Sequence, residues 1–153
     1  MATRILMVCL GNICRSPLAE GILQSKVNPE KIMVDSAGTG SYHLGNKPDE
    51  RSIAVSRKYG IDISHQRCRQ FSPKDFDNFD VIYTMDRSNY RNVISLARNE
   101  DQAQKVKMLL EEVESEIREV PDPYYGPGDG FEKVFHLIDK ACSEIARKLE
   151  NQP

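Results

Sequence analysis

The chain has 153 residues, 21 Lys and Arg against 23 Asp and Glu, and a formal net charge of -2 at pH 7. That length suits one domain spanning residues 1–153 with a real core, and a charge this close to balance gives no reason to expect nucleic acid or an anionic membrane as partner. No apolar stretch approaches the roughly 20 residues of a membrane span, Met1-Ala2-Thr3-Arg4 lacks the apolar region of a signal peptide, and cysteines at 9, 14, 68 and 142 show neither metal nor disulfide-framework spacing, so a reducing cytoplasm is expected.

Ile5-Leu6-Met7-Val8 reads as a buried strand, and Leu18, Ala19, Ile22, Leu23 and Val27 follow it at helical spacing. Ile32-Met33-Val34 is a second short strand, leading into a Gly-rich loop from Ala37 to Pro48. A helix is predicted from Asp49 to Tyr59, stopped by Gly60. Val81 to Met85 is the third strand, with Tyr90, Val93, Ile94 and Ala97 marking the helix after it. Val106 to Leu110 is the expected fourth strand, although its Lys-Met alternation also fits a helix. Phe131, Val134, Phe135, Ile138, Cys142, Ile145 and Leu149 form the stripe of a long closing helix. Strands alternating with helices predict an α/β fold: a single three-layer domain with a central four-stranded parallel sheet and helices on both faces.

The chemistry concentrates where the first strand ends, in Cys9-Leu10-Gly11-Asn12-Ile13-Cys14-Arg15-Ser16-Pro17. A cysteine, five residues, then Arg and Ser at a strand–loop–helix junction is what seats a phosphate over a sulfur. Loop N–H groups, a helix N-terminus and a guanidinium converge on one dianion-sized hollow, and such a field favours a thiolate. Alone, that spacing arises often by accident. Gly11 and Asn12, both tolerant of left-handed backbone, and Ser16-Pro17, suited to a helix start, make accident a poor explanation here. In a parallel sheet this edge is also where ligands collect. Cleaving a phosphate monoester needs a proton donor for the departing oxygen. Asp122, in Pro121-Asp122-Pro123-Tyr124-Tyr125, is the best candidate, with the two tyrosines as apolar walls of an aryl pocket.

Over essentially its full length the chain resembles a low-molecular-weight protein tyrosine phosphatase. The resemblance rests on Cys9 to Pro17, Val34-Asp35-Ser36-Ala37-Gly38-Thr39, Tyr83-Thr84-Met85-Asp86 and Asp122 to Tyr125. It implies Cys9 as nucleophile, Arg15 as the clamp on the transition state, and Asp122 as general acid and then general base. Residues Leu10, Gly11, Asn12, Ile13, Cys14 and Ser16 would complete the phosphate-binding loop, with Ser16 donating to the Cys9 thiolate. Asn12 would hold the strained turn through Ser36, and Asp86 would support the loop. Ile13 would line the pocket floor and Tyr42 its rim. The reaction implied is metal-independent hydrolysis of protein phosphotyrosine through a cysteinyl-phosphate, with inorganic phosphate as product and no cofactor.

One segment departs from the family pattern. Registering Ser64-His65-Gln66-Arg67-Cys68-Arg69-Gln70 on its final Arg-Gln puts Gln66, not His65, at the position of a loop-supporting histidine, and Cys68 at an alanine site. Cys68 is expected to be a small inert filler, Cys142 a core residue, and His43 and His136 surface or packing residues. Cys14 has two readings, a redox partner that shields Cys9 or a space-filling side chain. An arsenate reductase on the same scaffold would need further cysteines near the third strand, and Val81 to Ser95 holds none. An arginine-phosphate phosphatase would carry threonine where Ile13 stands. A non-catalytic phosphate or flavin module would not need Cys9, Arg15 and Asp122 together, and Gly38-Thr39-Gly40 lacks the third glycine of a dinucleotide fingerprint.

Overall fold

A computed structural model describes residues 2–124, 126 and 129–150. Four strands, β1 (Thr3–Cys9), β2 (Ile32–Gly38), β3 (Val81–Thr84) and β4 (Val106–Met108), form one parallel sheet in the order β2-β1-β3-β4. Among the described residues six α-helices connect and cover them: α1 (Arg15–Lys26), α2 (Glu50–Lys58), α3 (Asp75–Asn78), α4 (Arg87–Ile94), α5 (Glu100–Ala103) and α6 (Gly130–Glu150). Among the described residues no helix is long and apolar enough to cross a membrane.

The three-layer architecture follows from the alternation of β1. Successive side chains of a strand point to opposite faces. Ile5, Met7 and Cys9 pack with Leu18, Ile22, Phe135 and Ile138, under α1 and α6. Leu6 and Val8 face the other way, onto Phe76, Ile82 and Val93 under α3 and α4. A strand buried on both sides must be apolar throughout, which is why its sequence shows a continuous run rather than alternation.

Several boundaries differ from the sequence reading. β2 extends to Gly38, past the expected end at Val34, because its backbone pairs with β1 as far as Cys9 opposite Gly38 despite the polar Asp35 and Ser36. β4 stops at Met108 instead of Leu110: β3 ends at Thr84, opposite Met108, and offers no further partner. Leu109 and Leu110 are buried nonetheless, from a 3₁₀ turn over Leu109–Glu112. α3 and α5 have four residues each, too few to show a period. α2 begins at Glu50 with Asp49 as its cap, the Asp49 carboxylate accepting from the Arg51 N–H at 2.8 Å. Gly60 follows its end in the left-handed conformation, φ +82°.

β1 has β2 on one side and β3 on the other, so the chain reverses its direction across the sheet between these neighbours. A crevice opens there beyond the carboxyl ends of the strands. Cys9 ends β1 and Asp86 stands two residues beyond β3, so both border that crevice.

Candidate active site

The loop from Cys9 to Arg15 is shaped by where its carbonyls are tied. In a trans peptide the C=O and the following N–H point in opposite directions, so pinning a carbonyl outward aims the next amide inward. Thr39 and Gly40 donate their N–H groups to the carbonyls of Cys9 and Leu10, both at 2.9 Å. The Cys68 thiol donates to the carbonyl of Asn12 at 2.8 Å, and the Asp49 N–H to that of Ile13 at 2.7 Å. Ser52 Oγ donates to the carbonyl of Cys14 at 3.3 Å. By that geometry the amides of Leu10, Gly11, Ile13, Cys14 and Arg15 turn away from those partners, and these same residues line the hollow. Cys14 caps α1 without a side-chain bond to its first turn, so those amides stay open to an anion as well.

Asn12 is the pivot, at φ +57° the one described non-glycine residue with positive φ. That conformation costs roughly 1 kcal/mol for an L-residue, and its own side chain offsets the cost. Nδ2 donates to Ser16 Oγ at 2.8 Å and to Ser36 Oγ at 3.0 Å, while Oδ1 accepts from the Arg69 N–H at 2.9 Å. Gly11, expected to share the left-handed turn, does not adopt positive φ; its small size matters instead, because a Cβ there would meet the His43 ring at 3.2 Å. Gly38 is needed for close approach: a Cβ would fall 2.7 Å from the carbonyl oxygen of Leu10.

The bonds through Asn12 have a direction. Its Nδ2 fills a lone pair of Ser16 Oγ, which leaves that hydroxyl hydrogen able to point at Cys9 Sγ, 3.1 Å away. The Asn12 N–H also donates to Cys9 Sγ, at 3.3 Å. On the far side Ser36 Oγ donates to Glu20 Oε1 at 2.7 Å. Burial pushes the Glu20 carboxyl up to about 7, with nearby Asp35 adding to the rise while the Ser36 bond and Arg69 oppose it. Glu20 was not singled out by the sequence, although it lies on the same helical face as Ser16, four residues along.

Arg15 is 3% exposed and fixed from behind. Nη1 donates to Asp86 Oδ2 at 2.7 Å and to the Val120 carbonyl at 2.9 Å. Nη2 lies 3.8 Å from Asp122 Oδ2. Asp86 is held in turn, its Oδ1 accepting from the Asn89 N–H at 2.8 Å as the cap of α4. The exposed Asp122 accepts from the Tyr124 N–H at 3.0 Å, which turns its carboxylate back along its own loop.

These groups border one cavity of about 440 Å³, lined by Cys9, Leu10, Gly11, Ile13, Cys14, Arg15, Tyr42, His43, Asp122 and Tyr124. Ile13 and Tyr124 are half-buried in its walls, whereas Tyr42 and Leu10 are exposed at the mouth. Tyr125 lies outside the described residues. All four cysteines are free thiols. Burial, ahead of the nearby Asp49, Cys9 and Asp122, raises the Cys14 thiol well above the ordinary cysteine range. Burial likewise raises Cys68, to about 11, keeping it a proton-bearing donor for Asn12 rather than the inert filler expected. Gln66 is buried but does not reach the loop. Its Nε2 donates to the Pro17 carbonyl on the first turn of α1 at 3.1 Å, and its Oε1 has no hydrogen-bond partner among the described residues. His65 is exposed, as is His136, whereas His43 joins the cavity lining. Among the described residues no three His, Cys, Asp or Glu side chains gather closely enough to hold a metal ion.

Comparison with known proteins points to one family. A family model described as low molecular weight phosphotyrosine protein phosphatase matches residues 4–153. The low molecular weight protein-tyrosine-phosphatase YfkJ of Bacillus subtilis is 41% identical over 97% of this chain and 96% of its own. A low molecular weight phosphotyrosine protein phosphatase of Schizosaccharomyces pombe is 42% identical over 89% of this chain and 90% of its own. The crystal structure of a protein tyrosine phosphatase from Entamoeba histolytica, with Hepes in the active site, superposes with a TM-score of 0.91 at 38% identity, covering 97% of each chain.

Proposed function

Because this chain belongs to the low molecular weight phosphotyrosine protein phosphatase family and is a protein tyrosine phosphatase, we propose that it hydrolyses phosphotyrosine in proteins through a cysteinyl-phosphate on Cys9, without a metal, as one catalytic domain over residues 1–153. The convergence of Cys9, Arg15 and Asp122 on one cavity carries this reading. A cavity of about 440 Å³ has room for an aryl ring, and Ile13 and Tyr124 are among its lining.

Phosphate enters over Cys9 with its equatorial oxygens against the loop amides and Nη2 of Arg15. The Cys9 thiolate attacks phosphorus, the S–P bond forms, and the P–O bond to the ring breaks. Protonated Asp122 gives its proton to the departing phenolic oxygen. Water then attacks phosphorus and passes a proton to the Asp122 carboxylate. The P–S bond breaks, inorganic phosphate leaves, and Ser16 and the Asn12 amide receive the thiolate again. Covalent demands are small, so most of the acceleration comes from placing positive charge around the transferring group. Arg15 suits this because Nη1 is fully engaged behind the loop, which fixes the plane in which the rest of the guanidinium meets the phosphoryl oxygens.

The test is turnover of aryl, alkyl and arginine phosphates in the presence of a chelator, by the wild type and by Cys9→Ser. Aryl phosphate should be strongly preferred, chelator should have no effect, and Cys9→Ser should lose turnover while still binding phosphate. Retained activity in Cys9→Ser, or preference for arginine phosphate, refutes the reading. Peroxide treatment followed by mass spectrometry separates the two roles of Cys14: a Cys9–Cys14 linkage marks a redox partner, and its absence marks a space-filling side chain.

A further inference from the structure

Arg51, on the first turn of α2, takes no part in the chemistry above, yet its guanidinium is engaged on several sides. Nε and Nη2 donate to Oδ1 and Oδ2 of Asp49 at 3.0 and 2.9 Å. Nη1 donates to the carbonyl of Tyr124 at 3.2 Å, across 73 residues of sequence. The same group lies over the ring of Phe131 at 4.5 Å and over that of Tyr124 at 5.3 Å.

Both ends of this pair reach the cavity. Asp49 donates its N–H to the Ile13 carbonyl in the anion loop at 2.7 Å. Tyr124, held by Arg51 through its carbonyl, donates its own N–H to Asp122 at 3.0 Å. The path therefore runs from Ile13 to Asp49, from Asp49 to Arg51, from Arg51 to Tyr124, and from Tyr124 to Asp122. An Arg–Asp pair this open to solvent adds little to global stability. Its geometry nonetheless fixes one distance, that between the loop holding the phosphate and the segment carrying the carboxyl. At the beginning of that segment Val120 donates to the Met85 carbonyl at 2.8 Å and accepts from Arg15.

We propose that the Asp49–Arg51 pair is a strut that sets the reach of Asp122 over the anion loop, making Arg51 a positioning residue for proton transfer to the leaving group. The proposal rests on the reading of Asp122 as general acid. Such a residue acts on the proton transfers of Asp122, to the leaving group and later from the water, and not on binding. Phosphate binding depends on the loop, and Asp49 continues to hold that loop through its backbone when Arg51 is changed. Proton delivery depends on where Asp122 sits, and a misplacement of about 1 Å at a reacting group costs on the order of 10²-fold in rate. Lysine cannot replace the fork, because one ammonium cannot engage both Asp49 oxygens, the Tyr124 carbonyl and two rings at once.

The experiment compares kcat/KM, which reports the step in which the phenol departs, for a series of aryl phosphates from good to poor leaving groups, in wild type, Arg51→Ala, Arg51→Lys, Asp122→Asn and the double variant Arg51→Ala/Asp122→Asn. Inhibition by inorganic phosphate is measured in each, and thermal unfolding confirms that each is folded. Both Arg51 variants should lose about tenfold or more in kcat/KM for poor leaving groups and much less for good ones, with phosphate inhibition within about twofold of wild type. The double variant should lose no more than Asp122→Asn alone. An equal loss for all leaving groups, a loss confined to phosphate affinity, or a fully active Arg51→Lys would overturn the strut. A loss in Asp122→Asn that ignores the leaving group would instead overturn the acid role of Asp122.

Discussion

Glu20→Gln isolates the charge at the far end of the bonds that hold Asn12. The Glu20 carboxyl is shifted upward from the ordinary 4.5 to about 7, chiefly by burial. The groups facing it are Ser36 and Asp35 on β2 and Arg69 from the segment beside it. A carboxyl raised on folding favours the native state while it is protonated. Its contribution is complete below about pH 4.5 and is lost as pH rises toward about 7. At about 1.4 kcal/mol per unit, the full shift amounts to at most about 3.5 kcal/mol, of which the part above pH 5 is somewhat less. Glutamine keeps an oxygen for the Ser36 hydroxyl and never ionises. Urea unfolding of both proteins between pH 5 and pH 8 provides the assay. The stability of Glu20→Gln relative to wild type should grow by up to about 3 kcal/mol over that interval and then level off, which for a typical urea slope is a midpoint difference of about 1 M or more. A difference between the two proteins that does not change with pH would refute the reasoning.

Two further outcomes follow from the loop. Asn12→Ala removes three side-chain hydrogen bonds and leaves a β-carbon at positive φ, so it should lower stability by about 2–4 kcal/mol in urea unfolding and reduce kcat for every aryl phosphate alike. Arg15→Lys offers one nitrogen where Nη1 alone already meets both Asp86 and the Val120 carbonyl, so nothing replaces Nη2, and inhibition by inorganic phosphate should weaken by about 10-fold to 100-fold, in line with the roughly 1.5–3 kcal/mol of a hydrogen bond to a charged group.

Much of this was legible in the sequence where one cause dominated. β1 is apolar because both faces are covered, α6 shows its stripe because one face packs on α1 and the core beneath it, and the Cys9–Pro17 loop combines residue types that rarely coincide without an anion to bind. Legibility failed where a partner far along the chain decided the outcome. The polar half of β2 is a strand because β1 runs beside it, and β4 is short because β3 ends. Gln66 sits where the family pattern places a supporting histidine, yet its amide goes to Pro17. Cys68, Ser52 and Asp49 show no chemical motif, since their importance lies in which loop carbonyl each one meets. Glu20 shares a helical face with Ser16, a signal that was present but is common to any helix.

The exposed residues at the cavity mouth matter for how such an enzyme diversifies. Leu10 and Tyr42 are 41% and 73% exposed, while Cys9, Arg15 and Ser16 below them are 3% or less. Replacing an outward side chain disturbs neither the sheet nor the anion cradle, so new phosphoprotein targets become accessible through mutations that leave folding untouched. On the proposed reading, recognition at the mouth is open to revision, whereas the hydrolytic machinery is locked to the architecture that carries it.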